Sequence, residues 1–248
     1  MSARSLLLRG MGVGLVAGLL AYLFGTLVGE PPVDAAIAFE AAHAPAGPAE
    51  PQLVSRTVQS TLGLGTAMLF YGAALGGVLA LVTGAALGRT GRLRVRGTAL
   101  VFAAVGFVAV ALVPFLTYPA DPPAVGAHET IQRRTALYGA MLLVSLLAVG
   151  AGAATTRSLL PRVGGWNAVL AGLGLFVVIV TATALTLPTV DEVPADFPAG
   201  ALWQFRVASL GSQVVLWTSF GLLFGALTER RASRAVSRAA LVTAHASP

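Results

Sequence analysis

The chain has 248 residues, of which 56% are hydrophobic and only 10% are charged, and its net charge is +6. Soluble domains carry about 25% charged residues, so this composition predicts an all-α integral membrane protein. The sequence contains neither cysteine nor lysine, which excludes disulfides, thiolate metal sites and a phosphate-binding P-loop. Because the arginines lie in the joins between apolar segments, the positive net charge does not indicate a nucleic-acid partner.

Six apolar segments follow one another along the chain, each close to the roughly 20 residues that a helix needs to cross the hydrocarbon core. They are residues 8–29, 61–88, 97–117, 135–156, 166–188 and 206–228. Only the join at 30–60 is long. We therefore expect a single membrane domain over residues 1–230, a bundle of six transmembrane helices surrounded by the lipid bilayer. Residues 231–248 are expected to form a short, basic, disordered cytoplasmic tail.

The loop charges alternate in sign between the two ends of the predicted helices. One set of loops holds 12 arginines and one acid, and the opposite set holds four arginines and nine acids. Since loops rich in arginine stay in the cytoplasm, both termini are expected to be cytoplasmic and the acidic loops to face outward. Arg4 and Arg9 before the first apolar run also fit a cleaved signal peptide, but this run exceeds the about 7–15 apolar residues of a signal sequence.

Glycines recur at every fourth residue in the first two predicted spans. Gly10, Gly14 and Gly18 lie in the first span, and Gly72 and Gly76 lie in the second. Small residues at this spacing allow two helix backbones to approach closely in lipid. We expect close packing within one bundle, and the alternative is a contact surface for a second copy of the chain or for a partner subunit.

Three predicted spans begin with arginine at their outer ends. Arginine at a helix N-terminus opposes the helix dipole, so acids are expected nearby to compensate for it. Asp121 and Asp196 in the outer loops are candidates for this pairing. The ion pairs either hold the loops together or border a binding site at the outer ends of the helices, which we call the outer mouth. The arginines concerned are Arg56, Arg133, Arg134 and Arg206.

Two outer loops have similar sequences. Residues 116–119 resemble 185–188, and residues 119–124 resemble 194–199, where both begin with Pro-Ala-Asp. Each pair of segments precedes a helix that begins with arginine. This similarity predicts parallel structural repeats, between which transporters often place their sites. Chance similarity in a chain rich in Ala and Pro is the alternative.

The outer loops also hold the candidate metal ligands. His43 lies near Glu40, and His128 lies near Glu129 and Asp121. Imidazole and carboxylate together suit Co²⁺, Ni²⁺ or Zn²⁺, although a solvated loop histidine is the simpler interpretation. No ionisable residue lies in the middle of a predicted span, so the sequence gives no sign of a proton relay through the membrane.

Motifs along nearly the whole chain resemble the CbtA-type cobalt transporter subunit family. The most specific one is Val-Pro-Phe-Leu-Thr-Tyr-Pro-Ala-Asp-Pro-Pro-Ala-Val-Gly at 113–126. The resemblance implies cobalt uptake for cobalamin synthesis, a bacterial inner-membrane location, five or six spans, and a small single-span partner subunit with metal-binding histidines. The other matching residues lie within 30–40, 55–59, 130–138 and 197–217.

The chain departs from the family pattern at Thr117, Asp121, Ala127 and His128. Many members also have a His-rich first outer loop, where this chain has only His43. These departures move the expected metal ligands from histidine to carboxylate. The carboxylates favoured are Glu30, Glu40 and Asp121.

We interpret the chain as a membrane subunit of a cobalt uptake system that captures Co²⁺ at an acidic outer mouth and passes it across the membrane, with no tightly bound cofactor. The competing interpretation is a non-transporting scaffold that packs against other subunits, or against a second copy, through its Gly-rich helix faces. An intramembrane enzyme is disfavoured because the sequence has no His-Glu-x-x-His, no Gly-x-Ser-x-Gly and no histidine in any span.

Overall fold

The computed structural model describes residues 2–44, 54–87 and 93–245, with His128 and residues 231–245 described by their backbone alone. Every regular element in this part of the chain is helical, and five helices are long and apolar enough to cross a membrane. The last of them continues beyond its apolar part to His245. The five are α1 (Ala3–His43), α2 (Arg56–Ala86), α3 (Val95–Thr117), α4 (Ile131–Thr186) and α5 (Ala199–His245).

The difference from the six predicted spans lies in α4, whose 56 residues include predicted spans four and five. Gly164 has φ 77° and ψ 167°, a conformation outside the helical range, and Pro161 shortly before it lacks the amide that a regular helix needs. A Cβ at Gly152 would lie 2.7 Å from the carbonyl oxygen of Gly172, although these positions are about 30 Å apart in a straight helix. The helix therefore folds back at Gly164 into two antiparallel arms.

The first helix is longer than the sequence suggested. The join at 30–60 was expected to be a loop, but residues 30–43 continue α1 after a wide, π-type turn at Gly25–Gly29. Pro31 and Pro32 cannot donate the backbone hydrogen bonds of a regular helix. The wider turn before them accommodates this loss, and the alanine-rich stretch that follows favours helix.

One compact unit is held together by glycine contacts. Gly14 on α1 packs directly against the backbone of Gly72 on α2, and a Cβ at either position would overlap the other's carbonyl oxygen. Gly76 packs against Gly10 and Gly14, and Gly18 against Met68, in the same way. The two backbones therefore touch without intervening side chains, which is the close approach that small residues permit in a membrane. This unit comprises residues 2–26, 54–87, 93–104 and those from Ser212 onward.

The second compact unit comprises residues 27–44 and Val105–Gly211, and it contains the polar loops. Its apolar cluster consists of Ala36 on α1, Val125 in the loop after α3 and Phe197 in the loop after α4. Phe39 packs edge-to-face on Phe197 with the ring centroids 5.0 Å apart. The cluster thus joins the C-terminal part of α1 to both loops. The packing of these apolar side chains fixes the positions of the polar groups beside them.

Candidate functional site

The C-terminal part of α1 positions three of the polar residues that the sequence analysis singled out. Glu30, Glu40 and His43 lie on it, together with Asp34. Asp34 and Glu40 are exposed, Glu30 is half-buried, and both Glu30 and Asp34 have interaction partners. Glu40 and His43 are three residues apart and therefore share one side of the helix.

His43 links the end of α1 to the loop after α4. Its Nδ1 lies 2.8 Å from the carbonyl oxygen of Phe39, and its Nε2 lies 2.9 Å from the Asp196 carboxylate. A carbonyl oxygen can only accept, so Nδ1 donates to Phe39, while Nε2 faces a carboxylate oxygen. In this arrangement both ring nitrogens contact protein oxygens, so neither is free to bind a metal ion.

Asp121 lies between two arginines from different helices. Arg206, in α5, donates a hydrogen bond of 2.8 Å from Nη2 to the Asp121 carboxylate. Nη1 of Arg134, in the first turns of α4, lies 3.9 Å from the other carboxylate oxygen. All three side chains are only 22–27% exposed. The loop carboxylate is therefore neutralised by fixed cations and is not open to a metal ion in this state.

Glu192 is the polar residue that sequence reasoning overlooked. It accepts hydrogen bonds from the Ala127 amide at 2.9 Å and from the Thr130 hydroxyl at 2.8 Å, and it lies 3.7 Å from Nε of Arg134. The Ala127 amide, then the Thr130 hydroxyl and Arg134, hold the pKa of Glu192 below its ordinary value, against an opposing effect of desolvation. Asp121, Arg134, Glu192 and Arg206 together form what we call the loop network.

The 113–126 motif has a backbone shaped for this network. Ala124 has φ 67° and Gly126 has φ 97°, so the chain turns twice through the left-handed region. A Cβ at Gly126 would overlap the Arg134 guanidinium, which explains why glycine fits there. Val125, between them, is 7% exposed in the apolar cluster. The motif thus buries one side chain while leaving room for Arg134 beside the carboxylates.

The remaining predicted residues lie outside the hydrogen bonds and ion pairs of the loop network or outside the described side chains. Arg133 is exposed in the first turn of α4, and its charge makes a small contribution to the lowered pKa of Glu192. Arg56 begins α2 behind the N-cap of Ser55 and has an interaction partner of its own. His128 begins a single 3₁₀ turn, and its side chain lies outside what the structure describes.

Among the described side chains, no three His, Asp or Glu residues come together as a ready metal site. Of the five predicted ligands, Glu30, Glu40 and His43 lie on α1, whereas Asp121 lies in the loop network and His128 is not described at the side-chain level.

The chain was compared with known families, curated proteins and solved structures. The family model described as probable cobalt transporter subunit (CbtA) matches residues 3–229, nearly the whole chain. No curated protein and no solved structure matches it. The match includes α1, the 113–126 motif and the loop network, together with all the apolar helices. The chain therefore belongs to the CbtA family of probable cobalt transporter subunits.

Proposed function

We propose that this chain is the membrane subunit of a Co²⁺ uptake system, which captures the cation at an acidic outer face and passes it across the bacterial inner membrane. The observation that carries this proposal is the family match over residues 3–229. The five apolar helices long enough to cross a membrane support it. Co²⁺ is the substrate, and the proposal involves neither a catalytic step nor a tightly bound cofactor.

The proposal includes six membrane crossings with both termini in the cytoplasm. The break at Gly164 supports it, because the arms 131–163 and 165–186 run in opposite directions and each has the about 20 residues needed for a crossing. The excess of arginine in alternate loops supports the orientation. In this topology the C-terminal part of α1 and the loop network lie on the side of the membrane that faces away from the cytoplasm.

In the proposed mechanism, Co²⁺ meets the carboxylates of α1 first. The outward loops hold nine acids against four arginines, and this excess raises the local concentration of cations. Glu40 is exposed, and Glu30 lies on the same helix, so these two serve as the first oxygen ligands. His43 becomes a ligand only after it leaves Asp196, because both of its ring nitrogens contact protein oxygens in the present arrangement. Asp121 stays with its two arginines in this scheme, and His128 is a later contact.

Transport by the purified protein is the direct test of this function. Proteoliposomes are loaded with a Co²⁺-quenched dye, and quenching is followed after external Co²⁺ is added, with and without a candidate small single-span subunit. We expect Co²⁺ entry above that of protein-free liposomes in at least one of these two preparations. Quenching equal to the protein-free rate in both would contradict a transport role. Glu40→Gln is expected to reduce entry about tenfold, and Asp191→Asn serves as the matched control.

The rival interpretation, a non-transporting scaffold, rested on the Gly-rich helix faces. Those faces are occupied within the chain, since Gly14 and Gly18 on α1 pack against Gly72 and Met68 on α2. They therefore leave no free glycine surface of the kind that the scaffold requires at these positions. Partner subunits and self-association remain part of the proposal for a transporter subunit, through other surfaces.

A further inference from the structure

The imidazole of His43 is oriented in the way that is typical of metal-binding histidines. Its Nδ1 lies 2.8 Å from the carbonyl oxygen of Phe39, which can only accept, so Nδ1 donates. Histidines that bind metal ions almost always donate one ring N–H to a carbonyl or carboxylate oxygen in this way, and they bind the ion through the other nitrogen. Here that nitrogen is Nε2, and it faces the carboxylate of Asp196.

The distance between Nε2 and this carboxylate fits two ligands of one metal ion. Zinc binds imidazole nitrogen and carboxylate oxygen at about 2.0–2.2 Å, and Co²⁺ also takes nitrogen and oxygen ligands. At such bond lengths, two ligands at a right angle to each other lie about 3.0 Å apart. Nε2 of His43 lies 2.9 Å from Oδ2 of Asp196. An ion can therefore replace the direct contact while both groups keep nearly their present separation.

Both groups are fixed by the same packed side chains. The ring of His43 lies against that of Phe39 with the centroids 4.1 Å apart, and Phe39 packs edge-to-face on Phe197. Phe197 follows Asp196 directly, is 6% exposed, and donates its amide to the carbonyl of Pro194 at 3.0 Å. The side chains of His43 and Asp196 are nevertheless 52% and 63% exposed. The pair is thus held in place and open to an ion from water.

A third ligand lies one turn before His43. Glu40 and His43 form a Glu-x-x-His sequence within α1. In helical bundles that bind two iron or manganese ions, both side chains of this sequence are ligands. Glu40 is exposed, and within the described part of the chain it makes no hydrogen bond or ion pair. The three groups are not gathered in the present structure, so rotation of the Glu40 side chain completes the set.

The related turn at 119–121 lacks these properties. Its carboxylate, that of Asp121, faces the guanidinium groups of Arg134 and Arg206. A guanidinium has no lone pair for a metal ion, whereas imidazole is the commonest metal ligand among side chains. Of the two Pro-Ala-Asp turns, only the one at 194–196 therefore faces a group that can share a cation with its carboxylate.

We propose that His43, Asp196 and Glu40 bind one divalent cation, with Asp196 as a metal ligand of the chain. The ion enters between Nε2 of His43 and the Asp196 carboxylate and ends their direct contact. It then joins the end of α1 to the loop after α4. The ligand set follows from the geometry, whereas the identity of the ion as Co²⁺ rests on the proposed function.

Equilibrium dialysis of the purified protein in detergent against ⁵⁷Co²⁺ tests the site in the absence of transport. Asp196→Asn, His43→Gln and Glu40→Gln should each weaken binding at least about tenfold, because each removes a ligand. The matched controls are Asp191→Asn, which changes another exposed acid of the same loop, and His245→Gln at the end of α5. Both controls should bind within twofold of the wild type. Since His43 and Asp196 are more than half exposed, their variants are expected to fold.

X-ray absorption at the cobalt K-edge identifies the groups that the ion touches. The wild type with one equivalent of Co²⁺ should show the outer-shell scattering of an imidazole ring. His43→Gln should lose this scattering, and His245→Gln should keep it. If Asp196→Asn or His43→Gln binds Co²⁺ as tightly as its control, or if the imidazole scattering persists in His43→Gln, the assignment is overturned.

Failure of this site and failure of the transport function give different results. Loss of Co²⁺ binding in the ligand variants, without Co²⁺ entry into proteoliposomes of the wild type, would support the site and contradict the transport function. Co²⁺ entry by the wild type, with unchanged binding in Asp196→Asn and His43→Gln, would support transport and overturn the site.

Discussion

The two Pro-Ala-Asp turns, at 119–121 and 194–196, share three residues but differ in the partners of their carboxylates. Asp121 is 22% exposed and lies 2.8 Å from a guanidinium nitrogen of Arg206. Asp196 is 63% exposed and faces the imidazole of His43 at 2.9 Å. Ion pairs between exposed side chains contribute little to stability, because solvent screens them. The first turn is thus held by two largely shielded guanidinium groups, and the second by a single exposed imidazole.

This difference separates holding the loops from receiving a cation. The turn at 119–121 is part of the loop network, and its carboxylate is compensated by arginine. The turn at 194–196 faces the end of α1, which also carries Glu30 and Glu40. We therefore propose that the first region clamps the loops and that the second captures the cation, so that two similar sequences have different functions.

The largest expected effect comes from Gly126→Ala. The substitution forces a residue with a Cβ into φ 97° and into the space of the Arg134 guanidinium. We expect a loss of about 2–3 kcal/mol in the free energy of unfolding, measured by denaturant titration in detergent. The control is Ala124→Gly, which relieves the strain of φ 67° and should leave the stability unchanged or slightly raised. Equal stabilities of Gly126→Ala and wild type would remove the backbone role assigned to the motif.

Substitution of the two aspartates compares the two turns directly. Asp121→Asn leaves Arg206 and Arg134 without their carboxylate and should lower the free energy of unfolding by about 1–2 kcal/mol. Asp196→Asn affects an exposed pair and should change it by less than about 0.5 kcal/mol. Thermal unfolding of both variants in the same detergent measures the difference. The reverse order would show that the His43 contact, and not the loop network, holds the loops.

The smallest expected effect is the acid dependence of the loop network. The pKa of Glu192 is lower in the folded protein than in the unfolded chain, so its contribution to stability is present above about pH 4.3 and is lost as the pH falls through the lower folded value. Glu192→Gln should therefore destabilise the protein by a constant amount at pH 6–8, and by less as the pH approaches 3. Unfolding curves at stepped pH values measure this. A stability difference between Glu192→Gln and the wild type that grows toward acid pH would contradict the hydrogen bonds assigned to Glu192.

Much of the helical fold could be predicted from composition and from the positions of the apolar runs. Apolar runs indicated the helices because each must bury its backbone hydrogen bonds within itself in a membrane. The extension of α1 through residues 30–43 was missed because Pro31 and Pro32 indicated a break, yet a wide turn before them lets the helix continue. The two spans predicted at 135–156 and 166–188 follow one another as the two arms of α4, with the sharp turn at Gly164 between them.

The candidate site could be predicted in residue type but not in pairing. Asp121 and Arg134 were recognisable because a cation at a helix N-terminus needs compensation. Arg206 was expected to begin its helix as well, but it lies about two turns inside α5, which begins at Ala199. Glu192 was not, because its hydrogen-bond partners Ala127 and Thr130 lie more than 60 positions away in sequence. His43 was expected to be a metal ligand, but its contact with Asp196 depends on a packing cluster that no local pattern shows.

Uptake of ⁵⁷Co²⁺ by cells that express variants of the two regions tests the central claim most directly. Uptake is divided by the amount of protein inserted in the membrane, so that loss of stability does not count as loss of transport. We predict that Glu30→Gln with Glu40→Gln lowers this normalised uptake about tenfold, whereas Asp121→Asn and the control Asp191→Asn leave it within twofold. Unchanged uptake in the Glu30/Glu40 double variant, or selective loss in Asp121→Asn, would contradict the account.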